Sequence, residues 1–267
     1  MTGRRRTAGV AGAVVALLSC ACSGEAPPEG EPVDVFADVG LAGPLEEIHR
    51  FARSDLGVRI RPNYGKSSEL AKEIDAGAEA ELFVSANPLW TRWLVTRDRA
   101  YPASEVVLVE NTLVLVSPPD QTWTFDPAGS ASLVRAFPGK IALGDPERVP
   151  VGGYAKDALA HRGWWMELQS RVVSAPDARA ALMAVERGDC DAGIVYASDA
   201  RGSELVRIVA AIPESWHEPI VYPLVIVAGD EPDASRALWQ LLLGEHSADV
   251  FRRHGFRVPA RTAAPAR

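Results

Sequence analysis

Apolar positions along this chain change repeatedly between two spacings, and the changes lay out strands and helices in alternation. Residues 33–39 (VDVFADV) are rich in β-branched side chains and read as a strand. Over 44–56, Leu45, Ile48, Phe51, Ala52 and Leu56 recur at helical spacing. Residues 58–62 (VRIRP) alternate as a second strand, and 67–76 set Leu70, Ala71 and Ile74 on one helical face. Residues 81–86 (ELFVSA) read as a third strand, and 88–96 as a helix bearing Trp90, Trp93 and Leu94. That pace is the pace of βαβ units, so the pattern predicts an α/β fold with a largely parallel sheet.

Two apolar strands, 112–116 (TLVLV) and 223–227 (PLVIV), bracket a second α/β set. It holds strands at 140–143, 171–174, 192–196 and 206–210 and helices at 153–161 and 177–187. Helices at 235–243 and 247–252 follow. The chain is expected to leave one lobe, build another and return. No internal repeat interrupts this plan.

The first residues change the picture. Arg4, Arg5 and Arg6 precede an uncharged run of mostly Ala, Val, Leu and Gly that ends in Leu17, Leu18, Ser19 and Cys20. The run is too short to span a bilayer comfortably and reads as a signal peptide. An aliphatic residue, a small residue and then Cys resembles a bacterial lipobox, which makes Cys20 the expected lipid anchor. Cys22, with Ser19 three places before it, is the second choice, and ordinary cleavage near Ala21 is the alternative to both. Residues 23–32 (SGEAPPEGEP) are Pro-rich and acidic, a stiff solvated tether. The expected division is a signal peptide over 1–19, a lipid anchor and tether over 20–32, a first lobe from 33–111 and 228–258, hinge strands with a second lobe over 112–227, and a disordered tail over 259–267.

Composition narrows the function. The 267 residues are 47% hydrophobic and 24% charged, enough for a sizeable core in one large or two modest domains. Lys and Arg number 28 against 35 Asp and Glu, a formal charge of -7. Removing 1–19 removes three arginines and no acid, so the mature charge is 25 minus 35, or -10. Such a balance speaks against general nucleic-acid binding. Three cysteines are too few for a disulfide scaffold, and Cys190 reads as a packed small residue. No dinucleotide, P-loop or nucleophile-elbow motif is present. The five histidines lack metal-ligand spacing, and His254 reads as a helix C-terminal residue that complements the dipole. No acid/base pair stands out, so no enzyme is expected.

What recurs is a helix start after a strand, marked by small or hydroxyl residues: VFADVGLAGPLEEI, NYGKSSELAKEI, GDPERVPVGGYAKDAL and SAPDARAALMAVE. Helix N-termini carry unpaired N–H groups and partial positive charge. Several of them converging would make an anion site from neutral groups, and so reconcile a negative protein with an anionic ligand.

These four segments, with GIVYASDA closing the last, resemble in order and spacing the periplasmic molybdate-binding proteins of ABC importers. The resemblance runs over about 33–258 and implies the two-lobed type II periplasmic-binding-protein fold, with two crossover hinge strands at 112–116 and 223–227 and the ligand in the cleft. It implies an extracytoplasmic, lipid-anchored receptor, a monomer, that captures molybdate and also tungstate with no cofactor and passes it to ABC permease subunits in the membrane. The alternatives are a receptor for another oxyanion, or a sensor or enzyme on the same scaffold. Carried across residue by residue, the ligand positions are Gly40, Ser67, Val151, Ala178 and Tyr196. Ser67 and Tyr196 would offer hydroxyls, and Val151 and Ala178 backbone N–H groups; all contact the oxygens of the oxyanion and none ligates the metal atom. Asp177 reads as a helix cap. The family pattern wants Ser where Gly40 stands; glycine keeps an N–H and loses a hydroxyl donor. Lys66 stands where the family has a small residue. It is either a charged replacement for the missing donor or a solvated lysine at a loop edge.

Overall fold

The computed structural model describes residues 32–229 and 233–260. The expected signal peptide, Cys20, Cys22, the tether up to residue 31 and the tail from 261 lie outside the described residues. In chain order the first elements are β1 (Val33–Asp38), α1 (Ala42–Leu56), β2 (Ile60–Gly65), α2 (Ser67–Asp75), β3 (Leu82–Val84), α3 (Pro88–Val95) and β4 (Val106–Asn111). Then come β5 (Leu113–Ser117), β6 (Ile141–Gly144), α4 (Pro150–His161), α5 (Trp165–Leu168), β7 (Val172–Ala175), α6 (Ala178–Glu186), β8 (Ala192–Tyr196), α7 (Ala197–Arg201) and β9 (Arg207–Ala211). The chain ends with β10 (Ile220–Ile226), α8 (Asp233–Leu243) and α9 (Glu245–Arg253).

Two five-stranded sheets result, ordered β2-β1-β3-β10-β4 and β7-β6-β8-β5-β9. Each is the core of one lobe, as the two-lobed fold requires. The chain passes from the first sheet to the second between Asn111 and Leu113, and returns over 212–219. Side chains alternate across each sheet, as the two-residue period of a strand demands. In β1, Val33, Val35 and Ala37 join one core and Phe36 the core on the opposite face. In β8, Ala192 and Ile194 point one way and Val195 the other. Helices cover both faces: α1 and α8 against α2 and α3 in the first lobe, and α4 against α6 in the second.

Two expectations need correction. Pairing is parallel among β1, β2 and β3 and among β6, β7 and β8, but β10 and β5 run antiparallel to both of their neighbours. Each sheet is therefore mixed and not largely parallel, because the strand next to each crossover runs against the βαβ strands. Residues 223–227, expected as a hinge strand and grouped with the second lobe, lie inside the first sheet: β10 pairs with β3 and β4. The strand β4 went unread because its apolar run merges with that of β5. The break between them is made by Asn111, whose side-chain oxygen accepts the Thr112 N–H at 2.9 Å. Pro223 sits mid-strand at an irregularity in the β10–β4 register, which is where a residue without an N–H is tolerated.

Side-chain caps open α3 and α6. Asn87 accepts from the Leu89 N–H at 2.8 Å, with Pro88 opening α3. Asp177 accepts from the Ala180 N–H at 2.8 Å at the head of α6, as expected of it. The start of α4 is packed more tightly still. A Cβ on Gly152 would fall inside the contact distance of the Gly144 carbonyl and of the Asp145 backbone, so only glycine lets α4 approach the end of β6. Gly153, one residue on, has only the Pro146 carbonyl nearby, at 3.8 Å.

Gly152→Ala is therefore expected to lower stability by about 1–3 kcal/mol, the usual range for overpacking. In a domain of this size that lowers the melting temperature by roughly 2–4 °C per kcal/mol. Gly153→Ala should leave it unchanged or raise it. Thermal unfolding followed by circular dichroism compares the two, and equal effects would show that the close approach is not what constrains Gly152.

Candidate oxyanion cleft

Parallel β1, β2 and β3 end at one edge of the first sheet, where the turn over Val39–Leu41 and α2 begin. Parallel β6, β7 and β8 end at an edge of the second sheet, where α4, α6 and α7 begin. The two edges meet. The Asn111 side-chain N–H donates to the Ser198 hydroxyl at 2.9 Å. A Cβ on Gly255, just after α9, would come 2.9 Å from the Ala197 carbonyl. In these first turns the Gly152 and Gly153 N–H groups donate to the Val149 carbonyl and the Ala180 N–H to Asp177, so the groups without a partner inside their own helices are the N–H groups of Val151, Ala178 and Arg179.

Ser67 opens α2 and is only 6% exposed. Its hydroxyl donates to Asp38 Oδ2 at 2.8 Å and accepts the Ala86 N–H at 2.9 Å. Gly40 lies in the exposed turn, and its N–H donates to Asp38 Oδ1 at 3.1 Å. Val151 is the second residue of α4, with its side chain fully buried, and Ala178 is the first of α6. Neither could act except through the backbone. Tyr196 ends β8 and stands at the cap of α7. Burial pushes its hydroxyl well above the ordinary range, and Tyr222, Tyr154, Asp38 and Asp199 push it further. Two of those four, Asp38 and Tyr222, belong to the first sheet, so Tyr196 reaches across the cleft toward the group that holds Ser67 and Gly40. Lys66 turns away: its ammonium lies 3.6 Å from Glu69 and the side chain is 77% exposed. The solvated reading of Lys66 is the one this geometry favours.

Several residues at this junction were not singled out from the sequence. Asp38 receives both Gly40 and Ser67. Burial pushes its carboxyl up, while the hydrogen bonds from Ser67 and Gly40 pull it down. Tyr222 on β10 is fully enclosed, and burial and the Asp38 charge raise its hydroxyl while a hydrogen bond with Asn111 lowers it. Tyr154 on α4 is raised by burial and then by Glu218 and Asp157. Asp199 on α7 is pushed up to about 6 by burial, with Asp177 and Asp38 adding to the shift and Arg179 opposing it. Asp38 and Asp199 stood inside the quoted motifs, two residues before Gly40 and three after Tyr196. Tyr222 had no local signal, since only the fold of β10 brings it here. A Cβ on Gly40 would meet Asp38 Oδ1 at 3.3 Å and the Tyr222 hydroxyl at 3.8 Å, so a larger residue at 40 would crowd the carboxylate.

The site is neutral donors, phenols and two carboxylates; the described residues hold no cluster of three His, Cys, Asp or Glu able to bind a metal ion. That chemistry suits an oxyanion held by O–H and N–H groups. Two cavities, of about 330 Å³ beside Tyr101, Arg236 and Trp239 and about 600 Å³ beside Asp34, Arg61 and Arg99, lie away from this cleft.

Residues 33–257 match the family of bacterial extracellular solute-binding proteins. The chain is 36% identical to the molybdate-binding protein ModA of Escherichia coli (strain K12), over 91% of this chain and 95% of that one. It is 33% identical to ModA of Haemophilus influenzae, over 84% of this chain and 89% of the relative. The periplasmic molybdate-binding protein of Azotobacter vinelandii superposes with a TM-score of 0.66 at 22% identity, covering 85% of this chain and 100% of that chain, which is a likeness of fold.

Asp199 provides a test of charge burial at this junction. Its raised carboxyl means that the folded protein holds the proton more tightly than the unfolded chain. The charged form is therefore a penalty, absent below the ordinary carboxylate range and complete above about pH 6. Asp199→Asn should raise the melting temperature at pH 8 and leave it unchanged near pH 4. An equal rise at both values would mean that charge burial is not the cause.

Proposed function

Because the chain belongs to the family of bacterial extracellular solute-binding proteins, we propose that it is the molybdate receptor of an ABC importer. It takes tungstate as well, catalyses nothing and needs no cofactor. What supports this reading is that Asp38 of the first sheet, which accepts the Ser67 hydroxyl, also acts electrostatically on Tyr196 of the second sheet. Gly40, Val151 and Ala178 contribute backbone N–H groups to the same oxyanion. A dianion held only by neutral donors suits a receptor that must release its cargo, because no counter-ion has to be stripped away. Sulfate has the same shape and charge and is rejected by the size of the closed cleft.

In this reading residues 1–19 direct export and are removed, Cys20 becomes the lipid-bearing first residue, and 20–32 tether the body to the outer face of the membrane. The first lobe is built from 33–111 and the chain after the return crossing, and the second from the residues between the crossings. The protein works as a monomer and docks on the permease subunits with its cleft closed.

Thermal shift and calorimetry test the ligand. Molybdate at a hundred times its dissociation constant should stabilise the fold by about 2.7 kcal/mol. Ser67→Ala and Tyr196→Phe each remove one hydrogen bond to a charged ligand, worth about 1.5–3 kcal/mol, and should weaken binding roughly ten- to a hundredfold while leaving the protein folded. A melting temperature that ignores molybdate and responds to another anion would remove molybdate from the reading.

Cell fractionation tests the anchor. Cys20→Ser should release the protein from the membrane fraction or leave it unprocessed, and Cys22→Ser should do neither. The reverse result would place the lipid on Cys22.

A further inference from the structure

Two of the donors assigned to the anion already have a partner within the protein. Ser67 has one hydroxyl proton, and it points at Asp38 Oδ2 at 2.8 Å while the oxygen accepts from the Ala86 N–H. The Gly40 N–H points at the other carboxylate oxygen at 3.1 Å. Asp38 thus sits in the cleft as a built-in anion, holding in place the groups an oxyanion would need. A carboxylate offers only acceptors, and so does a fully deprotonated oxyanion; side by side they repel and compete for the same donor protons.

Among the described residues, Asp38 is met by hydrogen-bond donors and not by a basic side chain. From α2 it faces the Ser67 hydroxyl and backbone N–H, from its own turn the Gly40 N–H, from β10 the Tyr222 phenol, from β8 the Tyr196 phenol and from α7 the Asp199 carboxyl. Tyr154 of α4 stands behind the two phenols. Among the described residues no basic side chain contributes to the environment of Asp38. Arg179 acts on Asp199 and pairs with Glu186 at 3.5 Å.

We propose that Asp38 makes oxyanion capture proton-linked: the anion enters the cleft together with one proton, which is shared between the Asp38 carboxyl and an anion oxygen. The inference rests on the oxyanion-receptor reading above. The proton comes from solvent and converts one carboxylate oxygen from acceptor to O–H donor. The Ser67 hydroxyl then rotates its proton from Asp38 to the anion, and the Gly40 N–H, fixed in its peptide plane, is released by the protonated carboxyl for an anion oxygen. The site gains a donor in place of a competitor, the hydroxyl missing at Gly40 is replaced, and the bound complex carries the charge of the anion alone. The upward push of burial on the Asp38 carboxyl agrees with a group that takes this proton readily.

Titrating the full chain with sodium molybdate, by calorimetry and tryptophan fluorescence, tests this between about pH 6 and 8.5 in buffers of different ionisation enthalpy. The wild-type dissociation constant should rise with pH, by up to about tenfold per unit, with close to one proton taken up per anion. Asp38→Asn cannot titrate and leaves no charge to repel the anion. It should bind molybdate about tenfold or more tightly than the wild type at the upper pH, with no proton uptake and little pH dependence. Asp38→Ala should lose the pH dependence in the same way, and serves if the Asn variant does not fold. A wild-type affinity flat with pH and without proton uptake overturns the proposal and leaves the molybdate reading standing. So does a folded Asp38→Asn protein that binds more weakly than the wild type. Tungstate and sulfate are titrated in parallel. If either shows the pH slope and the uptake where molybdate shows no binding, the proton linkage stands and the molybdate assignment falls. Failure of all three anions to bind either protein overturns both.

Discussion

The double crossing of the backbone between two sheets is the constraint on which the rest of this protein depends. One passage is made at Asn111 and the other over 212–219. Two passages fix which edges of the sheets can face each other, and here they bring together the ends of the parallel strands. The helices α2, α4, α6 and α7 all start at those ends, and the N-terminus of a helix carries partial positive charge. The crossing at Asn111 is itself tied to the second lobe, because its side chain holds the Thr112 N–H on one side and Ser198 on the other. A residue that breaks the strand β4 from β5 thereby also links the lobes at the floor of the cleft.

The electrostatics of the gap run against the charge of the molecule. The chain has a formal charge of -7, and the cleft adds Asp38 and Asp199 without a lysine or arginine directed at the first of them. Attraction for an anion must then come from dipoles at short range, where a donor within hydrogen-bond distance outweighs screened charges farther away. Phenols serve this purpose well. Burial holds the Tyr196 and Tyr222 hydroxyls neutral, so they remain proton donors at any physiological pH.

Glycine and serine at this junction act through what they allow around them. Gly40 leaves room for the Asp38 carboxylate beside the Tyr222 hydroxyl. Gly152 lets the first turn of α4 come down onto the end of β6, which is what places the Val151 backbone at the edge. The Ser67 oxygen joins three elements, linking α2 to the last residue of β1 and to the chain after β3. Removing it would loosen the edge of the first sheet as well as subtract a donor.

The sequence by itself determined the alternation of strands and helices, the cap at Asp177, and the positions of Ser67 and Tyr196 in their motifs. All are local, because periodicity and capping depend on residues within one or two turns. It also determined that an anion site built from helix starts was possible. The direction of β5 and β10, the place of 223–227 in the first sheet and the break at Asn111 were decided by tertiary structure, since an apolar strand buried on both faces reads the same whichever way it runs. The partnership of Asp38 with Ser67 across 29 positions of sequence was decided there too. So was the approach of Tyr222 and Asp199 to that pair. Burial among those neighbours, which no spacing records, turns an ordinary turn aspartate into the group that any ligand of this cleft must answer.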